Sequence, residues 1–245
     1  MSAPKTTEIR QMIAFVNLFP TSTEFKLCST SSFHLKLCKD ISNLPNLEII
    51  SKKVVTLPAQ TKRKMNYQQI IDKYYPEENE LKRILMVHSR KVADKALEIA
   101  AAHPELKLDV QFLEEAAMLH DIGIFKTNAP GIQCFGSEAY IRHGWMGAEL
   151  LRQEGYPRHA LVCERHTGAG LTLEQIESQD LPVPHHDMRP ISLEEQVICY
   201  ADKFFSKTHP EREKTAEKAL LSLEKFGQEG LARFRAWMDR FGCFS

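Results

Sequence analysis

Imidazole nitrogens and carboxylate oxygens gathered from several helices are what a site for a borderline or hard divalent ion is made of. In this chain the candidates run in the order His88, the pair His120-Asp121, His143, His166 and Asp202. A second His-Asp pair, His186-Asp187, stands between Pro184 and Pro190 with no helix to fix it, and reads as a capping or solvent-facing pair. The chain has neither a Gly-x-Ser-x-Gly elbow nor a phosphate-cradling Walker loop, so neither a serine nucleophile nor a P-loop offers itself for the same chemistry.

The elements that must hold these side chains are helical. Apolar positions Leu81, Ile84, Leu85, Val92, Ala96 and Ile99 recur at three- and four-residue intervals, which predicts one long helix from about residue 77 to His103-Pro104. His88 lies inside it. A second helix, about Asp109 to His120, starts on a capping aspartate and is stopped by Gly123, and it delivers His120-Asp121 at its end. A third is expected from His143 to Gln153, closing at Gly155, and Pro157 opens a fourth that leads to His166. Ser192 and Glu195 form a capping-box pattern ahead of the helix that carries Asp202. Two further helices, roughly 211 to 226 and 228 to 241, complete the chain, and no strand is expected in residues 65 to 245. The fold class is all-α.

His120-Asp121 continues as Ile122-Gly123, with a histidine about 30 residues before it and an aspartate about 80 after. This combination resembles the HD superfamily of metal-dependent phosphohydrolases in its HDIG form, over roughly residues 77 to 208. The resemblance implies a helical bundle with His88, His120, Asp121 and Asp202 as core metal ligands. His143 and His166 stand where members with two metals place the ligands of the second ion. In that respect the chain is similar to the diadenosine tetraphosphate hydrolases of the superfamily. It also has a Gly155-Tyr156-Pro157 tripeptide, as in the HD-GYP phosphodiesterases, but without the longer pattern around it.

The implied chemistry is hydrolysis of a phosphoester or phosphoanhydride bond in a small, nucleotide-like substrate, by hydroxide bridging two divalent ions with Asp121 as a shared ligand. Mixed nitrogen and oxygen ligation suits Fe or Mn, with Mg, Ni, Co and Zn as alternatives. Lys126, five residues past Asp121, is the first choice for a phosphate-binding cation, ahead of Arg142, Arg165 and Lys203. Two rival readings stay open: a mononuclear nucleotidase using His88, His120, Asp121 and Asp202 alone, and a non-catalytic nucleotide-binding signalling module.

Residues 1 to 64 carry 10 Lys/Arg against 4 Asp/Glu, contain no glycine, and hold 14 Ser/Thr, unlike the rest of the chain. They read as an atypical extension: upstream sequence ahead of a true start at Met65, a basic transit peptide, or a small module. The remaining 181 residues have 22 basic and 28 acidic side chains. An acidic body argues against a duplex nucleic-acid partner, which would need many phosphate contacts. Six scattered cysteines form no disulfide framework, and no apolar run is long enough for a bilayer. The expected address is the cytoplasm, with no membrane partner; the oligomeric state is left open.

Overall fold

A computed structural model describes residues 65–242 of the chain. They belong to the unit Arg63–Ser245, and the atypical extension, residues 1–64, lies outside the described residues. The fold is all-α.

Helix α1, Tyr67–Tyr74, is followed by the long α2, Glu80–Ala102. The Asn79 side chain accepts from the Lys82 amide and fixes where α2 starts, three residues later than the periodicity alone suggests. Helix α3, Val110–Leu119, starts on Asp109, whose carboxylate accepts from the Phe112 amide. Helices α4, His143–Gln153, and α5, Pro157–Arg165, follow with the expected bounds. Two short elements lie where only loops were expected: an antiparallel pair β1, Asn128–Ala129, and β2, Cys134–Phe135, and a helix α6, Leu173–Ser178. The reciprocal capping box of the fold belongs to α6, between Thr172 and Gln175.

Helix α7, Leu193–Asp202, runs through the middle of the core, with Val197, Ile198, Cys199, Tyr200 and Ala201 buried, against α2, α3 and α5. Ser192 caps it as expected, but Glu195 reaches back to the Ile191 amide rather than to Ser192, so the box is only half formed. Tyr200 then packs against Phe204, Phe234 and Phe241, which ties the final helix α9, Gly227–Phe241, to α7.

The expectation that fails is the helix from 211 to 226. Phe205–Ser206 (β3) and His209–Glu213 (β4) form an antiparallel hairpin, and helix α8 covers only Ala216–Leu221. The charged run Glu211-Arg212-Glu213 looked helix-compatible because its pairing partners are remote: Glu211 pairs with Arg83 at 3.0 Å, and Glu213 with the buried Lys95, both on α2. Tertiary contacts of β4 with α2 accompany the strand conformation here, where propensity alone allows a helix. Pro210, which cannot donate to a ladder, is tolerated in so short a two-stranded element.

Candidate metal centre

Five helices deliver the six predicted side chains to one buried place. His88 comes from the middle of α2, His120 and Asp121 from the end of α3, His143 from the start of α4, His166 from the end of α5 and Asp202 from the last turn of α7. All six are almost fully buried. Their donor atoms fall into two groups that share Asp121: His88, His120, Asp121 and Asp202 in one, Asp121, His143 and His166 in the other.

Asp121 divides its two oxygens between the groups. Oδ2 lies 3.1 Å from His88 Nε2 and 3.0 Å from His120 Nε2, while Oδ1 lies 3.4 Å from His143 Nε2 and 3.3 Å from His166 Nε2. Asp202 Oδ1 closes the first group, 3.0 Å from His88 Nε2.

Three of the histidines occupy the same local position. His120, His143 and His166 each follow a helical turn and donate Nδ1–H to the carbonyl three residues earlier, Ala117, Tyr140 and Cys163 respectively, each at 2.7 Å. Carbonyls at the end of a helical turn lack intrahelical partners, so the imidazole satisfies one of them and is itself held in one tautomer. With the proton on Nδ1, a neutral ring presents a bare lone pair at Nε2. Burial pushes His143 down to about 3, helped by His166, and burial also lowers His166, so both rings are neutral at ordinary pH. Yet their Nε2 atoms stand 3.0 Å apart. Two lone pairs at that distance repel unless a cation lies between them.

The first group draws positive charge in the same way. Burial works against a charged His120, but Asp121 and Asp202 outweigh it and lift the imidazole to about 9. Both carboxyls are held well below the usual carboxylate range. Burial opposes this, and the neighbouring cations prevail: His120 and Lys207 for Asp121, Lys203 and Lys207 for Asp202. Neither oxygen of Asp121 has a properly directed hydrogen bond, and His88 Nδ1 has none either. The Lys207 ammonium 2.6 Å from Asp121 Oδ2 is an ion pair without hydrogen-bond alignment. The donor set, its bare lone pairs and its unbonded carboxylate oxygens fit divalent metal ions.

Gly123 makes this convergence possible. Its φ of −86° is open to any residue, so it does not act as the left-handed helix stop expected from the sequence. It is required because a Cβ there would meet the His143 carbonyl oxygen at 2.3 Å and the Gly147 amide nitrogen at 2.4 Å. The bare backbone lets the start of α4 lie directly on the His-Asp-Ile-Gly turn. Tyr75 supports that turn from the other side, its hydroxyl donating to Ile122 O at 2.9 Å.

These observations agree with comparison to known proteins. Residues 85–206 match the HD domain family. The chain is a member of the HD superfamily. An uncharacterized protein of Methanocaldococcus jannaschii is 37% identical over 118 residues, 47% of this chain and 62% of that protein. A tRNA (cytidine(56)-2′-O)-methyltransferase of Picrophilus torridus is 33% identical over 152 residues, 58% of this chain and 40% of that protein. A protein of the same name from Thermoplasma volcanium is 32% identical over 123 residues, 50% of this chain and 32% of that protein. The chain thus spans less than two thirds of each of these relatives. No solved structure gives a significant match.

The HD domain opens the centre to a cavity of about 520 Å³, lined among others by His143, His166 and Asp202. Lys126 is not among its lining residues; it stands half-buried in a 3-10 turn, with its ammonium 5.9 Å from the Phe125 ring. Arg142 and Arg165 are engaged by Glu138 and Glu195. Lys203, a weaker candidate by sequence, pairs with Asp202 Oδ2 at 2.6 Å and lines the cavity. Lys207 was missed. It sits in the turn of the β3–β4 hairpin, and the hairpin itself was not foreseen, so nothing in the local pattern placed Lys207 beside Asp121. The second His-Asp pair is engaged elsewhere: His186 Nε2 lies 2.6 Å from Glu164 Oε1, and Asp187 pairs with Arg189. Cys134, Cys163 and Cys199 are buried free thiols outside the two donor groups, and Cys28, Cys38 and Cys243 lie outside the described residues. Among the described residues no helix is long and apolar enough to cross a membrane.

Proposed function

We propose that the chain is a dinuclear metal-dependent phosphohydrolase acting on a phosphoester or phosphoanhydride bond of a small nucleotide-like substrate. The observation that carries this reading is the division of Asp121, with Oδ2 turned to His88 and His120, and Oδ1 to His143 and His166. One carboxylate serving two nitrogen pairs is the arrangement a shared ligand requires. His88, His120 and Asp202 would hold one ion, His143 and His166 the other, and Fe or Mn suits the mixed donors best. Ions bound there supply the Lewis acidity that makes water a nucleophile near neutral pH and offsets phosphoryl charge.

The chain's own groups do the rest. The Nδ1–H bonds to Ala117, Tyr140 and Cys163 orient three imidazoles before substrate arrives, and the buried setting strengthens every charge interaction within it. Lys207 and Lys203 line the cavity beside the ligands and present ammonium groups to phosphoryl oxygens, the role that the sequence suggested for Lys126. The methyltransferase name of two relatives belongs to proteins of which the matched segment is 40 and 32%, and the side chains gathered here suit phosphoryl transfer to water rather than methyl transfer.

Purified protein reconstituted with Mn or Fe, assayed for phosphate release on a panel of nucleotides, tests the proposal. Two ions per chain and turnover that vanishes in Asp121→Ala are expected. A single ion that stays single after reconstitution would favour the mononuclear nucleotidase. Two ions with no turnover on any substrate would leave a binding module.

A further inference from the structure

The cavity in front of the centre carries more positive charge than one phosphate needs. Lys203, Lys207, Lys214 and Lys225 all line it, against a single lining carboxylate, Asp202. Lys203 and Lys207 are matched by Asp202 and Asp121, each at 2.6 Å. Lys214 and Lys225 have no carboxylate within ion-pairing distance among the described residues. Lys214 is half-buried, and its ammonium donates to the Lys203 carbonyl at 3.2 Å, which leaves its other N–H groups free for a ligand. Burial makes that ammonium easier to deprotonate than an ordinary one; the charge of Asp202 opposes this, and those of Lys203, Lys207 and Lys225 add to it. A half-buried cation crowded by other cations is costly unless an anion joins it.

Beside these two lysines the wall is aromatic and apolar. Phe226 lies next to Lys225, whose ammonium is 5.1 Å from its ring, and Ile132 and Ile141 line the same cavity. Its volume, about 520 Å³, lies in the range of small-ligand sites. Lys214, Lys225 and Phe226 lie beyond residues 85–206, the part matched to the HD domain, so the C-terminal elements of this chain add them to the family's centre.

We propose that the cavity takes a nucleotide with two phosphate groups, one at the metal centre and the second held by Lys214 and Lys225. The inference rests on the phosphohydrolase reading for which phosphate is cleaved, but not for where the second one binds. The second phosphate sets affinity, and the nucleobase packs against Phe226 and the apolar wall.

The test uses the full chain loaded with Mn and calorimetric binding of non-hydrolysable phosphonate analogues of AMP, ADP and adenosine 3′,5′-bisphosphate. Charge-assisted hydrogen bonds to a second phosphate predict that one of the two analogues with two phosphate groups binds at least about tenfold more tightly than the AMP analogue. Whichever of the two is preferred reports whether the phosphates are contiguous or separated. In the Lys214→Gln, Lys225→Gln double variant the ratio should fall to near one. Lys225 is exposed, so Lys225→Gln alone, which should lower the ratio part of the way, guards against misfolding of the double variant. Lys91→Gln, which removes an exposed lysine of α2, should keep the ratio. Equal affinity of the wild type for all three analogues, or a ratio that survives in the double variant, overturns the proposal. Failure of the phosphohydrolase reading looks different: the binding ratios stand while no nucleotide releases phosphate.

Discussion

Replacing Gly123 with alanine would add one methyl group at the point where α3 and α4 meet. That Cβ would stand 2.3 Å from His143 O and 2.4 Å from Gly147 N, both main-chain atoms that cannot rotate away. Real Cβ contacts do not fall below 3.0 Å, so the start of α4 must retreat by about 0.7 Å. Metal–nitrogen bonds are about 2.0–2.1 Å long, and a ligand displaced by that much no longer bonds. Overpacking of this kind costs about 1–3 kcal/mol. In a chain of this size that is a fall in Tm of about 2–4 °C for each kcal/mol. Displacement of a catalytic element by about 1 Å costs on the order of 10²-fold in rate. Calorimetric unfolding, metal content after Mn reconstitution and phosphate release would be measured together on Gly123→Ala. The expected result is a folded protein with a lowered Tm, about one ion per chain and about a hundredth of the turnover. A lowered Tm with two ions and full turnover would show that α4 yields without moving His143, and Gly123 would then not be what lets the two donor groups converge.

His143→Ala and His166→Ala should each keep about one ion while losing several kcal/mol of transition-state stabilisation, or about 10²–10³-fold in kcat; near-normal turnover would point to the mononuclear reading. His186→Ala and Asp187→Ala, whose partners are Glu164 and Arg189, should leave metal content at the wild-type value, and a loss of metal in either would place the centre at the wrong pair. Stability should also depend on pH through His159. Burial, with the neighbouring Arg158, pushes this histidine from 6.5 down to about 4, despite the opposing charge of Asp109. Its neutral form is the folded one, so its contribution is whole above about pH 6.5 and is lost as pH falls through about 4, up to about 3 kcal/mol at 1.36 kcal/mol per unit. Urea midpoints at pH 7 and pH 4.5 should therefore differ less in His159→Gln than in the wild type, and equal differences would count against it.

The six candidate ligands were legible in the sequence because each stands at a helix position that local pattern can define. Asp109 and Ser192 mark helix starts, Pro157 opens α5, and the periodicity of α2 places His88 on its buried face. Lys207 was not legible, since its position depends on a hairpin whose strand β4 pairs with Lys95 and Arg83, more than a hundred residues earlier in the chain. The purpose of Gly123 was misread for a related reason. A glycine after a helix suggests a stop, whereas here its missing side chain makes room for a backbone about twenty residues later. Lys126 was attractive by proximity in sequence to Asp121, but the 3-10 turn at Ile124–Lys126 carries it away from the cavity lining.

The first five residues of α4 contain Gly144 and Gly147, and Arg142 ahead of them provides no side-chain cap. Each glycine in a helix costs about 1 kcal/mol relative to alanine, so this turn is helical because it is clamped, with Gly144 against the Cys163 carbonyl and Gly147 against Gly123. With low intrinsic helicity and no side-chain cap, this turn depends on that clamp, and a loosening of the clamp would open it locally. Opening here frees His143 while α2, α3 and α7 stay closed around His88, His120 and Asp202. The two ions would then differ in residence time, one trading with solvent through a fraying turn and the other leaving only when the bundle itself comes apart, and isotope exchange would resolve two phases.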